Sequence, residues 1–121
     1  MGWIDARDIG AVAAEVLTGR GHEGKAYTLT GPEALTVYQV AEILTEAVGK
    51  KVTYVDVPEE AARKGMEQAG MPDWAVDALL ELHGICKMGL AAGLTPAVEQ
   101  ITGGKPTPFR KFAIDFAKAF R

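Results

Sequence analysis

The sequence predicts an α/β domain with two to three short strands, five to six helices and a helix-rich second half. Three observations predict it. β-Prone or alternating runs fall at 25–30 and 52–57, and Trp3-Ile4 reads as the end of a strand already under way. Apolar residues recur at helical spacing between those runs, and from position 59 onward nearly every segment reads as helix, interrupted only at glycine and proline.

Each element has its own signal. Ile9, Val12, Ala13, Val16 and Leu17 are spaced for one helix face, with Asp8 expected as N-cap and Gly19 as the stop. Lys25 to Thr30 alternates, and Gly31-Pro32 ends it. Thr36 and Gln39 form a capping-box pair ahead of Val40, Ile43, Leu44 and Val48, and Gly49 closes that helix. In the next strand Val52, Tyr54 and Asp56 share one face and Thr53, Val55 and Val57 the other. Pro58, Glu59 and Glu60 open a third helix, with acids at the positive end of its dipole. A break at Gly70-Met71-Pro72-Asp73 leads into a long helix from Trp74 to Gly89. Thr95-Pro96 and Thr107-Pro108 are cap-plus-proline starts, the last for a helix with Phe109, Phe112, Ala113, Phe116 and Phe120 on its apolar side.

Length and composition bound the function. A chain of 121 residues, 48% apolar and 24% charged, is expected to be one domain spanning 1–121, with a strand-and-helix part (1–58) and a helical lobe (59–121). The formal charge of −3, with no basic block, argues against nucleic acid as a partner. No apolar run is long enough for a membrane span, and the N-terminal residues do not form a signal peptide, so a cytoplasmic location is expected. The lone Cys86 cannot form an internal disulfide or a thiolate metal cluster within one chain.

Two or three parallel strands leave open edges, and open edges recruit partners. The chain therefore reads as a piece of a larger sheet, or as a subunit that completes its sheet with another copy.

The residues Trp3-Ile4-Asp5-Ala6-Arg7-Asp8-Ile9-Gly10-Ala11-Val12-Ala13 resemble the strand-to-helix passage of NmrA-like, atypical short-chain dehydrogenases/reductases, which include quinone- and azo-dye-reducing members. Gly24-Lys25-Ala26-Tyr27-Thr28-Leu29-Thr30-Gly31-Pro32-Glu33-Ala34-Leu35 follows in the same order. So do Ala41-Glu42-Ile43-Leu44, Gly49 to Pro58, and the set Thr102, Gly103, Pro106 and Phe109. The resemblance implies a partial Rossmann-like C-terminal lobe, made of the last sheet strands and the helices that roof a substrate cleft. It also implies NADP or NAD as the family's coenzyme, held by an N-terminal dinucleotide-binding half that is missing here.

Gly19-Arg20-Gly21-His22-Glu23-Gly24 matches G-x-G-x-x-G literally, but it follows a helix and precedes a strand. It would offer carbonyls where a pyrophosphate needs a helix N-terminus, so a connecting loop is expected. No tyrosine has a lysine four residues on, as the reductases with a Tyr-x-x-x-Lys pair require: Gly31, Glu42 and Pro58 stand there instead. Arg7 is expected to partner Asp8. His83 and Cys86 could share a helix face for a nucleophile or metal, yet two ligands are too few, and packing explains them better. No catalytic, cofactor-binding or metal-binding residue is assigned.

Trp74, Leu79, Leu82, His83, Cys86 and Met88 are the candidate site: the wall of an apolar substrate pocket, or an interface. The expected function is a substrate-side binding domain, not catalytic alone and without its own cofactor. Its partners would be a missing Rossmann half or itself as a homodimer, with a small apolar ligand. A stand-alone, self-associating binding protein is the alternative, and an enzyme using His83 and Cys86 ranks third.

Overall fold

A computed structural model describes residues 1–121. It contains six α-helices: α1 (Ala6–Thr18), α2 (Val37–Val48), α3 (Glu59–Gln68), α4 (Asp73–Lys87), α5 (Ala97–Thr102) and α6 (Phe109–Asp115). A 3₁₀ turn (Ala117–Phe120) follows. α1 packs on α5, α2 packs on α6 and the 3₁₀ turn, and α3 pairs with α4. The core is small and aliphatic: Val12, Leu35, Ala41, Val48, Val76, Leu80, Ala97, Val98, Ala113 and Ala117.

The expected strands do not form, so the α/β assignment is corrected to an all-helical one. Residues 3–4, 25–30 and 52–57 connect helices but enter no ladder. Alternation supplies a pleat; a strand also needs a second backbone to exchange hydrogen bonds with. Neither 26–30 nor 52–57 makes any backbone–backbone bond. Side chains hold them instead. The Thr45 hydroxyl accepts from the Val52 N–H at 2.9 Å and donates to the Val52 carbonyl at 3.2 Å. The Thr95 N–H donates to the Thr30 hydroxyl at 3.0 Å, and the Thr95 hydroxyl donates to the Thr28 carbonyl.

Helix ends follow local chemistry with instructive exceptions. The Thr36–Gln39 capping box is present in both directions, and Gly49 closes α2 in the left-handed conformation. α1, however, is capped by Asp5, whose carboxylate accepts from the Arg7 N–H. Asp8 lies one turn inside and accepts from the Thr107 N–H at 2.6 Å and the Thr107 hydroxyl at 2.9 Å. Thr95 and Thr107 therefore do not cap α5 and α6; each ties its segment back to the N-terminal part. The aromatic series is also cut. α6 stops at Asp115, and Phe116 is the junction before the 3₁₀ turn, while Phe112 still contacts Phe109, Phe116 and Phe120.

Gly31 is required by close approach. An added Cβ would stand 1.7 Å from the Trp3 carbonyl oxygen, so the N-terminal segment can lie on this turn only where no side chain exists.

The accessible surface is 8351 Å². A compact monomer of this mass would expose about 6,300 Å². A third more surface than expected leaves Trp74, Leu90, Met88, Val55 and Tyr38 in solvent.

Candidate functional site

α4 carries the candidate residues. Val76, fully buried, and Leu80 form its inner face, and Arg63 of α3 meets Asp77 at 2.8 Å beside them. Residues four apart lie on one side of a helix. Trp74, Ala78 and Leu82 therefore form a stripe, extended by Ile85, and the stripe is open: Trp74 is 75% exposed and Leu82 45%. Leu79 and Cys86 are half-buried along its margin. His83 is exposed and turns about 100° from Leu82 around the axis. Met88 lies beyond the helix end, 67% exposed, beside Gly89 in the left-handed region. Six candidates thus divide into an apolar stripe with its margin (Trp74, Leu82, Leu79, Cys86) and two residues off it. No hydrogen bond joins His83 to Cys86.

The best-formed depression lies elsewhere. Gly31, Pro32, Leu94, Thr95, Pro96, Glu99, Lys105 and Pro106 line an open groove of about 340 Å³ that no α4 residue reaches. Three prolines and the Thr95 latch make its walls rigid. Glu99 and Lys105 are its only ionisable residues, and nothing encloses a ligand there. A second hollow, of about 430 Å³, lies over Pro108, Arg110, Lys111, Ile114 and Asp115 and is more open still. The exposed apolar side chains of this region lie on α4, and the two grooves offer few.

Two ionic clusters flank the fold. Arg7 reaches Asp5 through Nε at 3.0 Å and Nη2 at 2.7 Å, and Asp115 through Nη1 at 2.8 Å. Lys111 completes the group on Asp115 at 2.9 Å. Arg7 also lies over the Phe116 ring, 5.2 Å from its centroid. Its partner is Asp5, not the expected Asp8. The hydrogen bond from Arg7 holds the Asp5 and Asp115 carboxyls below the usual carboxylate range, and both acids push Arg7 up. Every member pairs with another, so this cluster ties α1 to α6.

The second cluster was invisible to spacing rules. The Tyr54 hydroxyl donates to Asp56 at 3.2 Å, Lys87 at the end of α4 donates to the same carboxylate at 2.7 Å, and Tyr38 meets Tyr54 edge-on. Tertiary structure thus brings a tyrosine near a lysine that sequence spacing keeps far apart. Burial first, then Asp56, raises the Tyr54 phenol, the reverse of what an acid catalyst requires, while Lys87 lowers Asp56.

The glycine-rich loop does not fit a dinucleotide. The glycine-rich loop leaves the C-terminal end of α1, where carbonyls point outward. The N-terminus of α1 is occupied by the Asp5 carboxylate, and that of α2 by its own capping box. His22 within the loop bonds Tyr27 at 2.8 Å. No three His, Cys, Asp or Glu side chains converge as a metal site would need, and no helix is long and apolar enough to cross a membrane.

Comparison with known proteins gives these features a context. The NmrA-like family model matches residues 1–106. An NAD(P)H azoreductase from Xenophilus azovorans is 43% identical over 118 residues, which is 98% of this chain and 41% of the relative. The crystal structure of an NADPH-dependent quinone oxidoreductase from Escherichia coli, complexed with NADPH, superposes with a TM-score of 0.84 at 28% identity, covering all of this chain and 42% of that one. A triphenylmethane reductase from Citrobacter sp. superposes with a TM-score of 0.77 at 27% identity over 94% of this chain and 39% of that one. This chain spans about two fifths of the length of the relatives it matches, and over that span it belongs to the NmrA-like family.

Proposed function

We propose that this chain is the substrate-side lobe of an NAD(P)H-dependent reductase of the NmrA-like type, with α4 as one wall of an apolar substrate site. The observation that carries the proposal is the stripe Trp74, Ala78 and Leu82, open and extended by half-buried Ile85, on a helix whose other side packs inward through Val76 and Leu80. A second body laid over that stripe would enclose a slot lined by an indole and branched aliphatic side chains. Such a slot suits the conjugated acceptors named for the relatives: a quinone, an azo compound or a triphenylmethane dye. The lobe contributes shape and exclusion of water. The nicotinamide coenzyme supplies a hydride when bound, and its seat belongs to a dinucleotide-binding half outside these residues.

Isothermal titration of the 121-residue chain with NADPH and with NADH tests the division of labour. No binding at micromolar concentrations is expected, and micromolar affinity for either would refute it. The substrate wall is tested by joining this chain to the unmatched remainder of the azoreductase relative and following NADPH oxidation with a quinone. Trp74→Ala is expected to raise the quinone KM about tenfold, the loss of roughly 1.4 kcal/mol of apolar contact, with the coenzyme dissociation constant unchanged. An unaltered KM removes α4 from the site.

A further inference from the structure

Residues Thr53 to Val57 present five backbone N–H groups and five carbonyls that no other part of the chain binds. Tyr54, half-buried, contacts Tyr38, and Asp56, itself exposed, pairs with Lys87 on the same side. Thr53, Val55 and Val57 face solvent, with Val55 68% and Val57 44% exposed. A β-branched row of this kind is the composition of a strand that has neighbours. Exposed Lys50 and Lys51 precede it, and exposed Glu59 and Glu60 follow. Only Glu60 of these four is ion-paired, to Lys64 one turn on at 3.0 Å.

We propose that a second copy of this chain pairs with this edge as an antiparallel strand, on a twofold axis through Val55. The order of charges selects the occupant. Reversed against itself about Val55, the segment sets Thr53 opposite Val57 and brings the lysines that precede it toward the partner's Glu59 and Glu60, in the first turn of α3, at both ends. Parallel pairing would set lysine beside lysine and glutamate beside glutamate, which cross-strand contacts penalise. Pro58, without an N–H, ends the ladder where α3 begins. One patch meeting its own copy is the isologous arrangement that closes at a dimer. Val37 and Tyr38, 40% and 61% exposed, adjoin the edge through the Tyr38–Tyr54 contact and widen the interface. A stable association needs about 800 Å² per partner, and the surplus surface of this chain is more than twice that. The inference stands apart from the proposed reductase role, because an extended segment has two edges and the α4 stripe takes no part.

The test uses the full chain with Cys86→Ala as background. Light scattering at rising concentration should approach twice the 12.9 kDa chain mass. Val55→Cys, exposed and on the axis, should form an intermolecular disulfide under mild oxidant, because antiparallel partners stand about 5 Å apart between Cα atoms. Leu17→Cys, 84% exposed on α1, should not. Lys50→Glu with Lys51→Glu should raise the dimer dissociation constant about tenfold or more, and adding Glu59→Lys with Glu60→Lys should restore it. A monomer at every concentration overturns the proposal. So does a dimer that Val55→Cys fails to trap, or one indifferent to the charge reversal. Circular dichroism of each variant, with helicity unchanged, keeps a folding defect from imitating dissociation.

Discussion

Two residues show how single positions hold this fold. Gly31 is needed because the Trp3 carbonyl occupies the space of a side chain, so Gly31→Ala should destabilise the chain by about 3 kcal/mol or more, the upper range for forced overpacking against backbone. Urea denaturation measures it, and a loss under 1 kcal/mol would show that the N-terminal segment can move away freely. Asp5 combines a helix cap with an ion pair. Asp5→Asn keeps a good cap but loses the charge facing Arg7, so it should cost about 1–2 kcal/mol at neutral pH. The pH dependence has a definite sign. Asp5 and Asp115 are held below their unfolded values, so their contribution is in place above about pH 4 and is lost as pH falls through the lower folded values. Melting temperature should fall on acidification below pH 4 less steeply in Asp5→Asn than in the native chain. Equal slopes would mean that the pair contributes nothing.

At the scale of elements, helices are joined by threonines acting out of their expected place. Thr36 does cap α2, and α2 carries α6 and the 3₁₀ turn, so Thr36→Ala should lower global stability by about 1 kcal/mol rather than merely fray one end. Thr107→Val tests the opposite case. It leaves Pro108 to start α6 but takes the hydroxyl from Asp8, and should cost about 1 kcal/mol while the Thr107 N–H keeps its bond. If helicity near α6 falls but global stability holds, Thr107 is a cap after all. Hydrogen exchange at Lys111 and Phe112 separates these outcomes.

The molecule as a whole exposes too much. Its surface exceeds that of a compact chain of its mass by about a third. Much of the surplus is apolar, on α4, on the turn after it and along 52–57. The free chain should therefore bind the dye ANS, and joining the remainder of a family reductase should lower that fluorescence severalfold. Fluorescence unchanged on joining would mean that the open faces are not the docking faces. Self-association through 52–57 should leave part of the signal, because the α4 stripe lies outside that contact.

Local chemistry alone specified much of this protein. The Thr36–Gln39 box, the Gly19 and Gly49 stops, the Pro58 start and the breaks before α4, α5 and α6 were all legible, since each depends on residues a few positions apart. The family was legible too, because its motifs recur in order. The apolar residues of α4 were legible, though not which of them lie open, nor that His83 and Met88 lie off the stripe. What needed three dimensions was everything that depends on a second segment. Asp8 was misassigned because Thr107 comes to it from 99 positions away. The Tyr54–Asp56–Lys87 cluster joins residues up to 33 positions apart along the chain, a distance no spacing rule spans. The strands were read from a pattern that truly is there, but hydrogen bonding across a ladder belongs to two backbones, and one backbone's sequence does not contain the other.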